Sequence, residues 1–403
     1  MITRVNTRLL CGLLLSLYVL TGSVNHSSKL ALWLGFSDAK SAIAGFYQFP
    51  RAFNNSLSSF PQPIVKALAL NGFANAQFNW ALVLLRQSHA DKAKLFWQLS
   101  VTQQPANKRE QLAQLLVKQK RWAELELLAK QGLIPISDAL ETLKLHLSYP
   151  KESISSEFAK RTGIALFTHS QVAEQRCSYN VLMLSNHLEG LTKLNAFKQK
   201  HLLSPQPASN SFCFSTPVYL GDSIECQSNP LKAANCHWQP LINKVQWPRD
   251  FDFIVMMPRN GKGNVRSGIM QLGSQSHYGL FLHELMHFDG FEDEYALPTA
   301  KQAWLCKQTG YVAPNLFIAN GISPPQGWHL SQSCQGKIKA YKPSKNWSIM
   351  QYQQVALSTQ YKVLWSKQIK SKDNQPLRFV DYFSKLSETV NIIDKMTNNH
   401  ISE

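Results

Sequence analysis

The chain has 403 residues, 42 Lys plus Arg against 25 Asp plus Glu, and a formal net charge of +17. With 44% hydrophobic residues it has enough apolar surface for real cores, which excludes a fully disordered chain. The surplus charge is spread almost evenly, +8 over residues 24–162 and +7 over residues 163–403, with no long Lys/Arg run. No concentrated phosphate-binding stripe exists, so a nucleic-acid partner is not expected.

Residues 1–23 come first. Arg4 and Arg8 precede an apolar run, Leu9–Leu20, which is followed by the small polar Thr21-Gly22-Ser23. That order predicts a signal peptide or an uncleaved N-terminal membrane anchor. The apolar run is shorter than the ~20 residues of a full span. The expected location is therefore outside the cytoplasm, periplasmic or extracellular. Beyond Cys11 six cysteines remain, all after residue 176, and no C-x-x-C pair occurs. An even count behind an export signal predicts disulfides. Six cysteines allow 15 pairings. Proximity favours Cys226–Cys236 and Cys306–Cys334, which leaves Cys177 with Cys213.

Residues 24–162 form the next expected domain, all helical. Ala74–Leu85, Ala90–Thr102, Arg109–Val117 and Trp122–Lys130 carry apolar residues at helical spacing. Ala93, Trp97, Ser100 and Pro105 resemble the second helix of a tetratricopeptide-type repeat; a plain helical hairpin fits as well. Either form presents grooves suited to a protein partner. A link is expected at residues 148–162, with its Pro and Ser residues.

Residues 163–403 are expected to be α+β. Tyr179–Leu184, Phe251–Met257 and Val265–Leu272 are predicted strands, and Gly261-Lys262-Gly263 a hairpin turn. A helix opening at Tyr278 or Gly279 follows. It carries His283-Glu284-Leu285-Met286-His287, an H-E-x-x-H. Positions i and i+4 share one helix face, so both imidazoles reach one metal ion and Glu284 reaches its water. Gly290 allows an abrupt helix end, and Asp293 stands six residues past His287. Far downstream, Ser348-Ile349-Met350-Gln351-Tyr352 precedes a predicted helix, Gln354–Gln368.

The run H-E-x-x-H-x-x-G-x-x-D followed by S-x-M-x-Y resembles the metzincin zinc peptidases, whose motif usually ends in His and in a minority in Asp. The resemblance covers about residues 250–370. It implies a mixed-sheet zinc peptidase domain. It further implies Zn²⁺ held by His283, His287 and Asp293, with Glu284 as general base and peptide or protein substrates. Met350 would form the structural Met-turn. Tyr352 would ligate the metal or stabilise an oxyanion; packing under the site is its alternative. In relatives the strand before the zinc helix is an edge strand that takes up extended substrate, here Val265–Leu272. The Asp293-Glu294-Tyr295 string is also similar, more loosely, to bacterial zinc peptidases with that tripeptide. It leaves Glu292 or Glu294 as rival third ligands, less favoured by the offset. Asp289 and Glu294 are expected as ligand-orienting or surface groups, and His277 as a helix cap. A different class of function stays open: an envelope scaffolding module, working through its helical half, with a structural or inactive zinc domain.

Overall fold

The computed structural model describes residues 24–168, 171–173, 177–227, 229–242, 247–371, 373 and 375–387. The expected signal or anchor, residues 1–23, lies outside them. The chain divides into two compact units between Leu143 and Lys144.

The described part of the first unit is helical throughout. Its helices include Gln62–Leu70, Ala74–Arg86, Ala90–Ser100, Ala106–Lys118 and Trp122–Lys130. Four of these five end in the same way. Gly72, Ser88, Lys120 and Gly132 have φ of 85°, 63°, 56° and 67°, and the next amide returns to a carbonyl of the last turn. This left-handed cap stops each helix and reverses the chain. Glycine marks two of the four stops in the sequence; Ser88 and Lys120 hide the other two. Ala93, Trp97 and Ser100 are buried along one face, as their spacing predicts.

The second unit starts earlier than the expected boundary at 163. Residues 148–162 are no free linker: they include a helix, Ser156–Thr162, with Ser155 as its cap. Leu145, Ile154 and Phe158 bury themselves with Leu191 and Tyr219, so this stretch joins the second unit. The unit is α+β with a mixed sheet. The strands are β1 (Ala165–Leu166), β2 (Tyr179–Ser185), β3 (Phe212–Phe214), β4 (Val218–Tyr219), β5 (Phe253–Met257), β6 (Asn264–Arg266) and β7 (Ile269–Gln271). Their order is β1-β4-β2-β5-β7-β6, with β3 also on β2. All pairs are parallel except β6 on β7. Every residue of β5 is buried, because both faces are covered. Val181, Met183, Phe253, Val255 and Met270 face one core, and Leu182, Leu184, Ile254, Met256 and Ile269 face the other.

Two sequence expectations change here. Val265–Leu272 is not one strand but a hairpin, because Ser267 (φ 53°) and Gly268 (φ 76°) make a two-residue turn. Gly261-Lys262-Gly263 is not that hairpin's turn. It carries the chain from β5 to the sheet edge and bonds to a neighbouring loop, Lys262 N to Lys232 O and Ala234 N to Lys262 O, each 2.8 Å. A second, antiparallel sheet lies in the stretch beyond Asp293: β8 (Gly310–Ala313), β9 (Leu316–Ala319), β10 (His329–Ser331) and β11 (Lys339–Lys342), ordered β10-β11-β9-β8. The three disulfides are Cys226–Cys236 and Cys306–Cys334, the pairs that proximity favours, and Cys177–Cys213, the pair left over.

His187 and His201 sit at either end of the helix Leu188–Leu203 and are buried. His187 accepts the Gly190 amide, 3.1 Å from Nε2. Burial, reinforced at His187 by the charge of Arg259, lowers both to about 4. The folded unit therefore refuses protons that the unfolded chain accepts below pH 6.5. Their contribution is complete above pH 6.5 and drains away as pH falls through 4. Guanidinium unfolding at pH 5.0 should give about 4 kcal/mol less stability than at pH 7.5 from this pair.

Candidate metal centre

The helix Tyr278–Phe288 lies on the first of the two core faces through Phe281, Leu282, Leu285 and Met286. His277 caps it, its Nδ1 accepting the Leu280 amide at 3.2 Å. On the helix, His283 and His287 turn their Nε2 atoms toward one another at 3.1 Å. Behind them, each Nδ1 meets a backbone carbonyl: His283 on Ile349 O at 3.0 Å, His287 on Phe291 O at 2.7 Å. A carbonyl only accepts, so Nδ1 carries the proton and Nε2 presents a lone pair.

The helix stops at Gly290, whose φ of 75° suits glycine, and Phe291 N bonds back to Met286 O. Three residues on, Asp293 returns over the imidazoles. Its buried Oδ1 lies 3.2 Å from both Nε2 atoms. Three candidate ligand atoms thus converge, a set that draws in positive charge, whether a proton or a metal cation. A tetrahedral ion with ligand bonds of ~2.0–2.1 Å holds its ligand atoms about 3.3 Å apart, so the spacing fits. The residues His283, His287 and Asp293 could hold a metal ion. Glu292 and Glu294 lie outside the cluster. Glu292 pairs with Lys301 at 2.5 Å.

Electrostatics agree with the geometry. Burial acts to raise Asp293, but the facing imidazoles outweigh it and hold the carboxyl well below its usual range. Burial acts to lower His287, but hydrogen bonding and charge from Asp293 draw it up to about 9. The cluster concentrates affinity for positive charge. Glu284 is buried beside it, and burial raises its carboxyl, opposed by both histidines. A Cβ on Gly263 would collide with Glu284 Oε1, so glycine here gives the carboxylate its room.

Glu294 and Asp289 are both fully buried and hydrogen-bonded outside the cluster. Glu294, fully buried, accepts from Tyr361 OH at 2.5 Å, Asn315 Nδ2 at 2.8 Å and the Ser348 hydroxyl, with Lys342 Nζ 3.6 Å away. Its amide bonds Met350 O at 3.0 Å. Asp289 accepts from Trp365 Nε1 at 2.7 Å. Met350 is buried, and its segment serves the site through backbone: Ile349 O fixes His283 and Met350 O fixes Glu294.

A cleft of about 780 Å³ opens over the cluster, lined among others by Gly263, Val265, Glu284, Tyr295 and Lys301. Tyr352 is not part of its lining. That side chain is 36% exposed and packs on Trp347 at 4.7 Å. The tyrosine in the cleft is Tyr295, whose phenol is raised by burial and then by the charge and hydrogen bond of Asp293. No spacing rule points to a residue two places past Asp293. Its proximity to Asp293 in the sequence was the available signal.

No protein family, curated protein or solved structure matches this chain.

Proposed function

We propose that the second unit is a metzincin-type zinc endopeptidase. The observation that carries this reading is the convergence of two imidazole Nε2 atoms and one carboxylate oxygen beside a buried, unligating Glu284. Zinc suits a nitrogen-and-oxygen set of three, and when bound it supplies Lewis acidity that makes water a nucleophile near neutral pH. Glu284 accepts the proton of the attacking water and returns it to the leaving amine. A purely structural metal site has no use for such a base. Asp293 and the two histidines are held rigid by Ile349 O, Phe291 O and the Glu294 anchor. Tyr295 lines the cleft, and we assign its hydroxyl the role of donor to the substrate carbonyl oxygen. Strand β6 ends the sheet, and its open edge offers backbone groups to an extended peptide.

Export fits the same reading. Three disulfides suit an oxidising compartment, and we place the protein in the periplasm or outside the cell. Among the described residues no helix is long and apolar enough to cross a membrane. The test is hydrolysis of casein or a quenched peptide library. A chelator should abolish cleavage and stoichiometric zinc should restore it; cleavage that survives complete metal removal would refute the proposal.

A further inference from the structure

The first described helix, Val24–Ser37, carries its large apolar side chains on the side that faces water. Ala31 is buried, and so is Gly35, where a Cβ would meet the Phe60 ring at 2.9 Å. Leu32 and Leu34 are half-buried against the same core. The small residues fix this side of the helix in place, so the outer side cannot roll inward. At about 100° per residue, Leu30, Trp33 and Phe36 share about 120° of the outer side. They are 40%, 70% and 59% exposed. Lys29 stands on that side four residues before Trp33, and Ser37 four residues after it; both are exposed. An amphipathic helix normally turns its large apolar residues to the core. One that buries alanine and glycine and exposes leucine, tryptophan and phenylalanine presents a contact surface.

Two observations identify what meets that surface. The first is the chain ahead of the helix. Only Thr21-Gly22-Ser23 separate the apolar run Leu9–Leu20 from Val24. Acting as signal or as anchor, such a run is delivered to a membrane, and the helix then emerges at its surface. With 14 residues the helix is about 21 Å long against a hydrocarbon core of ~30 Å, too short to span and suited to lie in the interface. The second is charge. Residues 24–72 hold four cations, Lys29, Lys40, Arg51 and Lys66, all exposed. Their one acid, Asp38, caps the following helix, accepting from Ser41 N at 2.8 Å and from Ser41 Oγ at 2.7 Å. The resulting excess of +3 suits a layer of anionic headgroups.

We infer that Val24–Ser37 is a membrane-surface helix, whose stripe Leu30, Trp33 and Phe36 enters the boundary between headgroups and acyl chains of an anionic bilayer. Tryptophan favours that boundary, and Lys29 reaches from the same face to the phosphates. The first unit thereby rests on the lipid surface through side chains of its own fold.

The test uses the full chain with Cys11→Ser and one new cysteine, Ser37→Cys, labelled with an environment-sensitive fluorophore. Ser37 shares the exposed face and leaves the stripe intact. Vesicles contain phosphatidylcholine and phosphatidylglycerol, with a shallow doxyl quencher on the acyl chain. Fluorescence at position 37 should be strongly quenched, and the same label at Asn107→Cys, an exposed polar position, should not. Adding Trp33→Ser and Phe36→Ser should lower the docked fraction at least about tenfold, since two large apolar side chains no longer enter the lipid. Vesicles without phosphatidylglycerol should dock the helix about fivefold more weakly, the worth of one cation near the surface. Because the label reports its own depth, membrane binding through residues 9–20 alone leaves it unquenched. No quenching at position 37, equal quenching at 107, or quenching that survives the paired serine substitutions overturns the inference. So does a label at 37 that is shielded from aqueous iodide before vesicles are added, which would mark the stripe as covered by protein.

Discussion

Glu284→Gln is expected to abolish peptide hydrolysis while leaving the metal site intact. The amide fills the same space but holds no proton for the leaving amine. Proton transfer by a positioned side chain contributes about 10²–10⁴-fold, so kcat should fall by that factor. KM should barely move, because Glu284 meets the reacting water and not the body of the substrate. Glu284 touches none of the three ligand atoms as a ligand, and Gly263 leaves room for the amide. Bound metal should stay at the wild-type level, with an unchanged melting curve. A variant that cleaves at the wild-type rate removes Glu284 from the mechanism.

Glu294→Leu should be the most destabilising single change in the second unit. Four donors converge on a fully buried carboxylate: Tyr361, Asn315, Ser348 and, at 3.6 Å, Lys342. Removing the acceptor strands the Tyr361 and Ser348 hydroxyls and leaves the Lys342 ammonium buried against only the neutral oxygens of Asn346 and Gln351. Breaking such a buried pair from one side costs about 3–5 kcal/mol. The effect should reach the site, since Glu294 follows Asp293 directly and its amide is tied to Met350 O. Guanidinium unfolding measures the loss. Glu292→Ala is the control. Its partner Lys301 is 30% exposed, and a pair of that kind is worth about 0–1 kcal/mol.

The parts of the site that were legible in the sequence are those set by local geometry. The i, i+4 spacing of His283 and His287, the glycine stop at 290 and the six-residue offset to Asp293 are all short-range. The structure brings those residues together. Strands β2 and β5 were legible because burial on both faces leaves long apolar runs. The tyrosines went the other way. Tyr352 was singled out by its place in a motif and packs on Trp347, while Tyr295, two residues past Asp293, lines the cleft beside it. The β6–β7 hairpin was hidden because its turn begins with Ser267 in a conformation that asparagine or glycine usually marks. Strands β8–β11 escaped because each is three or four residues long and most are only partly buried, too short for alternation to register.

The central claim is that His283, His287 and Asp293 together hold one zinc ion. Elemental analysis of the purified chain, wild type beside Asp293→Ala, tests it most directly. The wild type, dialysed against micromolar zinc and then buffer, should retain one zinc per chain, and Asp293→Ala should lose most of it under the same dialysis. Equal zinc in both proteins, or none in the wild type, would contradict the account.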